Sequence, residues 1–168
     1  PWAVESVRDA FKGRIRPGDV YLLTDPYHGN NPLPDLTAFV PVFVGDEVAF
    51  WSVNRAPQSD IGGSTHGAYS PAATEIWQEG LRITPLKLYE AGRPVEAIFR
   101  IIERNTRAPT NVMGDIRSQI AACNNGERAL RGLVQRHGAA TFRRYAEELH
   151  DYAERLIRAE IRSLPNGT

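Results

Sequence analysis

The chain has 168 residues, with Lys plus Arg and Asp plus Glu balanced at 20 each. That length allows one domain with a real core, and the absent basic excess excludes the usual footprint of a nucleic-acid or anionic-membrane partner. One cysteine, Cys123, rules out an internal disulfide and suits a reducing cytoplasm.

No apolar run approaches the ~20 residues that span a bilayer, and no signal peptide is visible. The start at Pro1 and the turn-like end LPNGT are those expected of a segment of a longer protein. Along the chain, residues 2–12 carry Val4, Val7 and Phe11 at helical spacing, with Gly13 as a stop. A buried strand follows over Val20–Leu23. Next comes TDPYHGNNPLPD, residues 24–35, a loop dense in Asp, Asn and Pro with His28 inside it. DLTAFVPVFV and EVAFWSVNR are strand-like and joined by Gly45-Asp46, a hairpin signal, while Pro41 points to an edge or a bulge. Residues 56–73 form a second polar loop, long for a compact domain. TEIWQEGLRITPLKLYEAG reads as a helical turn, an extended stretch and another turn.

The remainder is helical. Val95, Ile98, Phe99 and Ile102 mark one helix. Ile116, Ile120, Cys123, Leu130, Leu133 and Val134 mark a second, with an interruption expected at Asn124-Asn125-Gly126. Phe142, Tyr145, Leu149, Tyr152, Leu156 and Ile161 mark a third. Gly138 between the last two predicts an antiparallel helical pair. The fold class is therefore α+β: a mixed sheet carrying the hairpin over residues 1–94, with helices over 95–164 packed on it.

The hairpin gives the polar loops a common address. With residues 45 and 46 as the turn, Asp35 faces Ala56, and opposed residues lie about 5 Å apart. Asp35 and Asp60 then stand at the mouth of one site beside Asn30, Asn31 and Gln58. Two carboxylates and several amide oxygens suit a hard cation such as Mg²⁺ or Mn²⁺, or acid–base work. Ordinary turn chemistry explains any one of these residues equally well.

RPGDVYLLTDPYHGNNPLPD, VNRAPQSDIGG, ATEIWQEGLRITPLKLYEAG and MGDIRSQIAACNNGERAL, taken together and in order, resemble the hydantoinase B/oxoprolinase family. This family holds the B-type subunits of 5-oxoprolinase, N-methylhydantoinase and acetone/acetophenone carboxylase-like enzymes. The resemblance covers nearly the whole of residues 1–168 and implies one internal segment of a larger subunit. It implies a hetero-oligomer in which a hydantoinase A-type partner binds ATP with Mg and phosphorylates a substrate oxygen. The B-type subunit then completes ring opening of a small cyclic amide. A ketone carboxylase subunit and a non-catalytic assembly subunit with a decayed metal site are the alternatives, in that order.

Residue by residue, Asp35 matches the family pattern Gly-Gly-Thr-His-Leu-Pro-Asp, with Pro32 in place of its histidine. Asp60, Gly62 and Gly63 match Arg-Ala-His-His-x-Asp-Val-Gly-Gly, with Pro57 and Gln58 in place of both histidines. Asp25, Tyr27, Glu75 and Glu79 also match. The resemblance thus implies Asp35, Asp60 and Glu75 as catalytic residues. It implies Asp25, Tyr27, Gly62 and Gly63 around the substrate, and the hairpin geometry adds Asn30, Asn31 and Gln58. A divalent metal, if retained, falls to Asp35, Asp60 and His28, because proline offers no donor atom. For His28 and His66 an exposed loop histidine is the plainer reading, and Cys123 reads as core.

Overall fold

The computed structural model describes residues 2–67 and 69–165; the last three residues of the LPNGT turn lie outside them. The chain opens with α1 (Trp2–Ala10) and β1 (Val20–Leu23), then the hairpin β2 (Asp35–Val44) and β3 (Glu47–Pro57). A long connection leads to β4 (Leu86–Glu90) and the two-residue β5 (Arg93–Pro94). Helices α2 (Glu96–Arg104), α3 (Pro109–His137) and α4 (Ala139–Ser163) complete it. Strand order is β3-β2-β1-β4-β5, with every neighbouring pair antiparallel. The α+β class read from the sequence is the class observed.

The chain divides inside α3 into two compact units, Pro1–Ala129 and Leu130–Thr168. In the first, all four residues of β1 are buried, because the sheet is covered on both faces. Side chains alternate along a strand, so Tyr21, Leu23 and Phe39 meet Ala3 and Val7 of α1. Leu22, Leu36, Ala38 and Val40 face the other way, onto Ile102 of α2 and Val112, Ile116, Ile120 and Cys123 of α3. Each such fully buried aliphatic side chain contributes roughly 1.5–3 kcal/mol.

The structure bears on three expectations. Pro41 lies in β2, a central strand, but beyond Thr37–Phe39, the stretch paired with β1; locally it has no neighbour on that side. The helix α3 runs unbroken through Asn124-Asn125-Gly126. The low helix propensity there costs only about 1–2 kcal/mol, and a side chain at Gly126 would collide with Ser52 of β3, so glycine permits the close approach. In the helix expected to form the second half of an antiparallel pair, α4, no residue is buried, and its stripe of Tyr145, Leu149, Tyr152, Leu156 and Ile161 is exposed. Among the described residues no helix is long and apolar enough to cross a membrane.

Candidate functional site at one end of the sheet

Antiparallel pairing sets where the polar loops emerge. Leu23 pairs with Thr37, Leu22 with Leu86, and Asp35 with Pro57. The end of β1, the start of β2, the end of β3 and the start of β4 therefore lie together. Loops 24–34 and 58–85 both leave from that end. Asp35 faces Pro57 rather than Ala56. Near the turn Val44 pairs with Glu47 and Phe43 with Val48, but Val42 pairs with Phe50, so Ala49 is a bulge residue. One extra residue on β3 shifts every later pair by one.

The first loop is built around buried polar groups. Asp25 Oδ1 accepts the Tyr27 backbone N–H at 3.0 Å, capping a short 3-10 turn over Pro26–His28. Its Oδ2 faces His28 Nδ1 at 3.1 Å and accepts from Arg82 Nε at 2.9 Å. Burial opposes the charge on Asp25, but the Tyr27 N–H, the Arg82 guanidinium and His28 outweigh it and hold the carboxyl below its usual range. Asn30 is buried too. The two hydrogens of its amide nitrogen are shared among the carbonyls of Thr24 at 2.8 Å, Pro32 at 3.0 Å and Asp35 at 2.6 Å, and its oxygen accepts from Thr37 Oγ1 at 2.7 Å. This side chain is committed to holding the loop, while Asn31 next to it is exposed.

The second loop is held by Asp60, buried at its root. Oδ1 accepts from Arg107 Nη1 at 2.8 Å. Oδ2 accepts the Arg107 backbone N–H and the Thr106 hydroxyl, the latter at 3.1 Å. Asp60 thereby ties the loop to the α2–α3 connection. Gly62 and Gly63 have φ of +87° and +84°, which favour glycine. A Cβ on Gly63 would lie 2.5 Å from the Gln78 carbonyl and one on Gly62 2.8 Å from that of Asn105. The backbone these glycines let in is the protein's own.

Gln58 is 1% exposed and starts the loop between the sheet and α3. Its Nε2 donates to Gln119 Oε1 at 3.0 Å, and Gln119 Nε2 donates to the Leu36 carbonyl at 2.9 Å. The carbonyl at one end fixes the orientation of both amides, since flipping either would set acceptor against acceptor. Gln58 Oε1 is left buried with no hydrogen-bond partner among the described residues.

Of the residues read from the sequence, Asp25, Asn30, Asp35, Gln58 and Asp60 do gather at this sheet end. Asp35 is half-buried, and its backbone N–H donates to the Pro32 carbonyl at 3.1 Å. Its carboxylate has no hydrogen-bond partner among the described residues. Tyr27 is exposed. Glu75 is exposed at the head of a second 3-10 turn, Ile76–Gln78, and caps no backbone N–H there. Asp35, Asp60 and His28 do not form a ligand set: among the described residues no group of three His, Cys, Asp or Glu side chains is placed to hold a metal. His28 is turned to Asp25, and both oxygens of Asp60 are engaged. The transition-metal centre that the sequence resemblance implies does not fit this donor set, because Pro32 and Pro57 supply no ligand atom.

Sequence reasoning missed Thr106, Arg107, Arg82 and Gln119. Nothing in the spacing relates Arg107 to Asp60 or Arg82 to Asp25. Gln119 did leave a trace, as a polar residue on the apolar stripe of Ile116, Ile120 and Cys123. Cys123 itself is buried, and burial pushes its thiol up to about 11.

The family model for hydantoinase B/oxoprolinase matches residues 1–168. The chain is 38% identical over 165 residues to the caprolactamase subunit beta of Pseudomonas jessenii, covering 98% of this chain and 28% of that one. It is 30% identical to a 5-oxoprolinase of Pestalotiopsis fici, covering 96% of this chain and 13% of that one. The crystal structure of ATP-dependent caprolactamase from Pseudomonas jessenii superposes with a TM-score of 0.91 over 98% of this chain and 28% of that chain. A nucleotide-free acetone carboxylase shares the fold, with a TM-score of 0.75, 22% identity and coverage of 84% of this chain and 18% of that one. The chain thus spans less than a third of the length of these relatives.

Proposed function

This chain belongs to the hydantoinase B/oxoprolinase family, and from that premise we propose that it is part of a subunit of an ATP-dependent cyclic-amide hydrolase. The observation that carries the reading is the 38% identity, over 98% of the chain, to a caprolactamase subunit. An unactivated lactam resists water because amide resonance lowers the electrophilicity of its carbonyl. Phosphorylation of the carbonyl oxygen, with ATP and Mg at an A-type partner subunit, removes that resonance and installs a leaving group. Water can then add to the carbon, expulsion of the ring nitrogen opens the ring to an amine and an acyl phosphate, and a second water cleaves the acyl phosphate to a carboxylate and inorganic phosphate.

In this reading the sheet end walls the hydrolysis site, and Asp35 is the chain's acid–base residue. The Asp25 and Asp60 carboxylates are engaged by their neighbours, so they position the loops. Asp35 is free to take a proton from the attacking water and to give it to the departing amine. General acid–base catalysis is worth about 10²–10⁴ in rate.

The full-length subunit, produced with its ATP-binding partner, should open at least one of a panel of lactams and hydantoins in an ATP-dependent manner. Asp35→Asn should then lower kcat by about 10² or more with the complex still assembled. An Asp35→Asn complex of undiminished activity removes this residue from the chemistry. Fixation of labelled bicarbonate into a ketone, without ring opening, would move the assignment to carboxylation.

A further inference from the structure

Arg107, Arg55 and Arg82 all reach the loops at this sheet end, and they differ in what they do with their forks. Arg107 turns Nη1 to Asp60 at 2.8 Å and Nη2 to the Gly63 carbonyl at 2.5 Å. Arg55 gives Nε to Thr37 Oγ1 at 2.9 Å and Nη2 to the Gly29 carbonyl at 3.2 Å. Both are structural clamps. Arg82 binds through Nε alone, at 2.9 Å from Asp25 Oδ2. Its guanidinium carbon lies 5.7 Å from the centre of the Tyr27 ring. The paired donors Nη1 and Nη2 have no protein partner among the described residues.

The base of this guanidinium is held by a carboxylate that cannot swing away. Asp25 is fully buried and is also engaged by the Tyr27 N–H and by His28. The ring beneath is 81% exposed, and the Arg82 side chain 37%, so both remain open to solvent. An exposed arginine ordinarily loses side-chain entropy when it captures a ligand. Here the ion pair and the ring have already restricted it, while the two-donor edge that matches an oxyanion is unused.

We propose that Arg82, seated on Tyr27 and held by Asp25, is a receptor for the oxyanion of a small molecule, a carboxylate or a phosphoryl group. The binding stands on the geometry alone. Its place in turnover rests on the hydrolase reading, in which carbonyl phosphorylation supplies a phosphoryl group and ring opening a carboxylate.

The test is calorimetric titration of the full-length subunit in complex with its partner, whose nucleotide site is filled with a non-hydrolysable ATP analogue. Inorganic phosphate and acetate are the separate probes. One site per subunit is expected, weakened at least tenfold in Arg82→Gln and less in Arg82→Lys. Tyr27→Ala, a change at an exposed ring, should weaken it a few-fold and keeps the question decidable if Arg82→Gln fails to fold. Tighter phosphate binding assigns the phosphoryl group, and tighter acetate binding the carboxylate. Absence of binding to either probe, or equal affinity in wild type and these variants, overturns the receptor. ATP-dependent ring opening without anion binding defeats this inference alone; anion binding without ring opening of any lactam defeats the hydrolase reading alone.

Discussion

Asp60 is buried and nonetheless charged. Desolvation by itself would raise its pKa, yet the Arg107 backbone N–H, the Thr106 hydroxyl and the Arg107 guanidinium together hold it below the usual carboxylate range. A depressed folded-state pKa adds stability that is fully present above the unfolded value, about 3.9, and is lost as pH falls through the folded value. Asp60→Asn should therefore lower stability at pH 7 by about 2 kcal/mol, the scale of a hydrogen bond to a charged group. The deficit relative to wild type should shrink when unfolding is measured at pH 3. A deficit of the same size at both pH values would show that the charge is irrelevant to the clamp. The sequence marked Asp60 through its place beside Gly62-Gly63, but its partner stands 47 positions away, and no periodicity links a loop aspartate to an arginine between two helices.

At the scale of elements, what was legible was what repeats. The helices show their apolar period, and the hairpin shows two apolar runs around Gly45-Asp46. The bulge at Ala49 has no such signal, because its cause is how β2 and β3 pair rather than what either contains. The placement of Asp35 was therefore right in neighbourhood and off by one in register. The Gln58–Gln119–Leu36 relay is another feature that no single element reveals, and it joins the hairpin to α3. Removing Gln119 leaves the buried Gln58 amide unsatisfied at two atoms: Oε1, which has no partner among the described residues, and Nε2, left with only a 3.5 Å contact to the Ala56 carbonyl. Removing Gln58 strands one, Gln119 Oε1, and also deletes the unpartnered Oε1 of Gln58 itself. An unsatisfied buried polar group costs about 1–3 kcal/mol. Gln119→Leu should thus lower Tm by clearly more than Gln58→Leu when both are melted under the same conditions. The reverse order would mean that Gln58 Oε1 has a bound donor, such as a buried water, whose loss adds to the cost of Gln58→Leu.

Across the whole molecule, stability is unevenly distributed, and the burial pattern says where. The first unit has a sheet covered on both faces. On α3 the buried residues Val112, Met113, Ile116, Gln119, Ile120 and Cys123 recur every three or four positions against that sheet. The helix α4 in the second unit has no buried residue. Among the described residues it is held by its own hydrogen bonds and by exposed ion pairs that include Arg144 with Glu148 at 3.4 Å and Glu154 with Arg158 at 2.6 Å. Such i,i+4 pairs contribute about 0.3–0.5 kcal/mol each, whereas most helical stability in proteins comes from packing of a buried apolar face. An amide in α4 can open by local fraying, whereas one between Ile116 and Cys123 opens only when the packing against the sheet is broken. Hydrogen exchange on the 168-residue chain should therefore show α4 amides exchanging faster by about two orders of magnitude or more than those of residues 116–123, since a difference of 1.4 kcal/mol in opening free energy is already tenfold. Equal protection in the two segments would mean that the Tyr145–Ile161 stripe is covered in solution and that α4 shares a cooperative core.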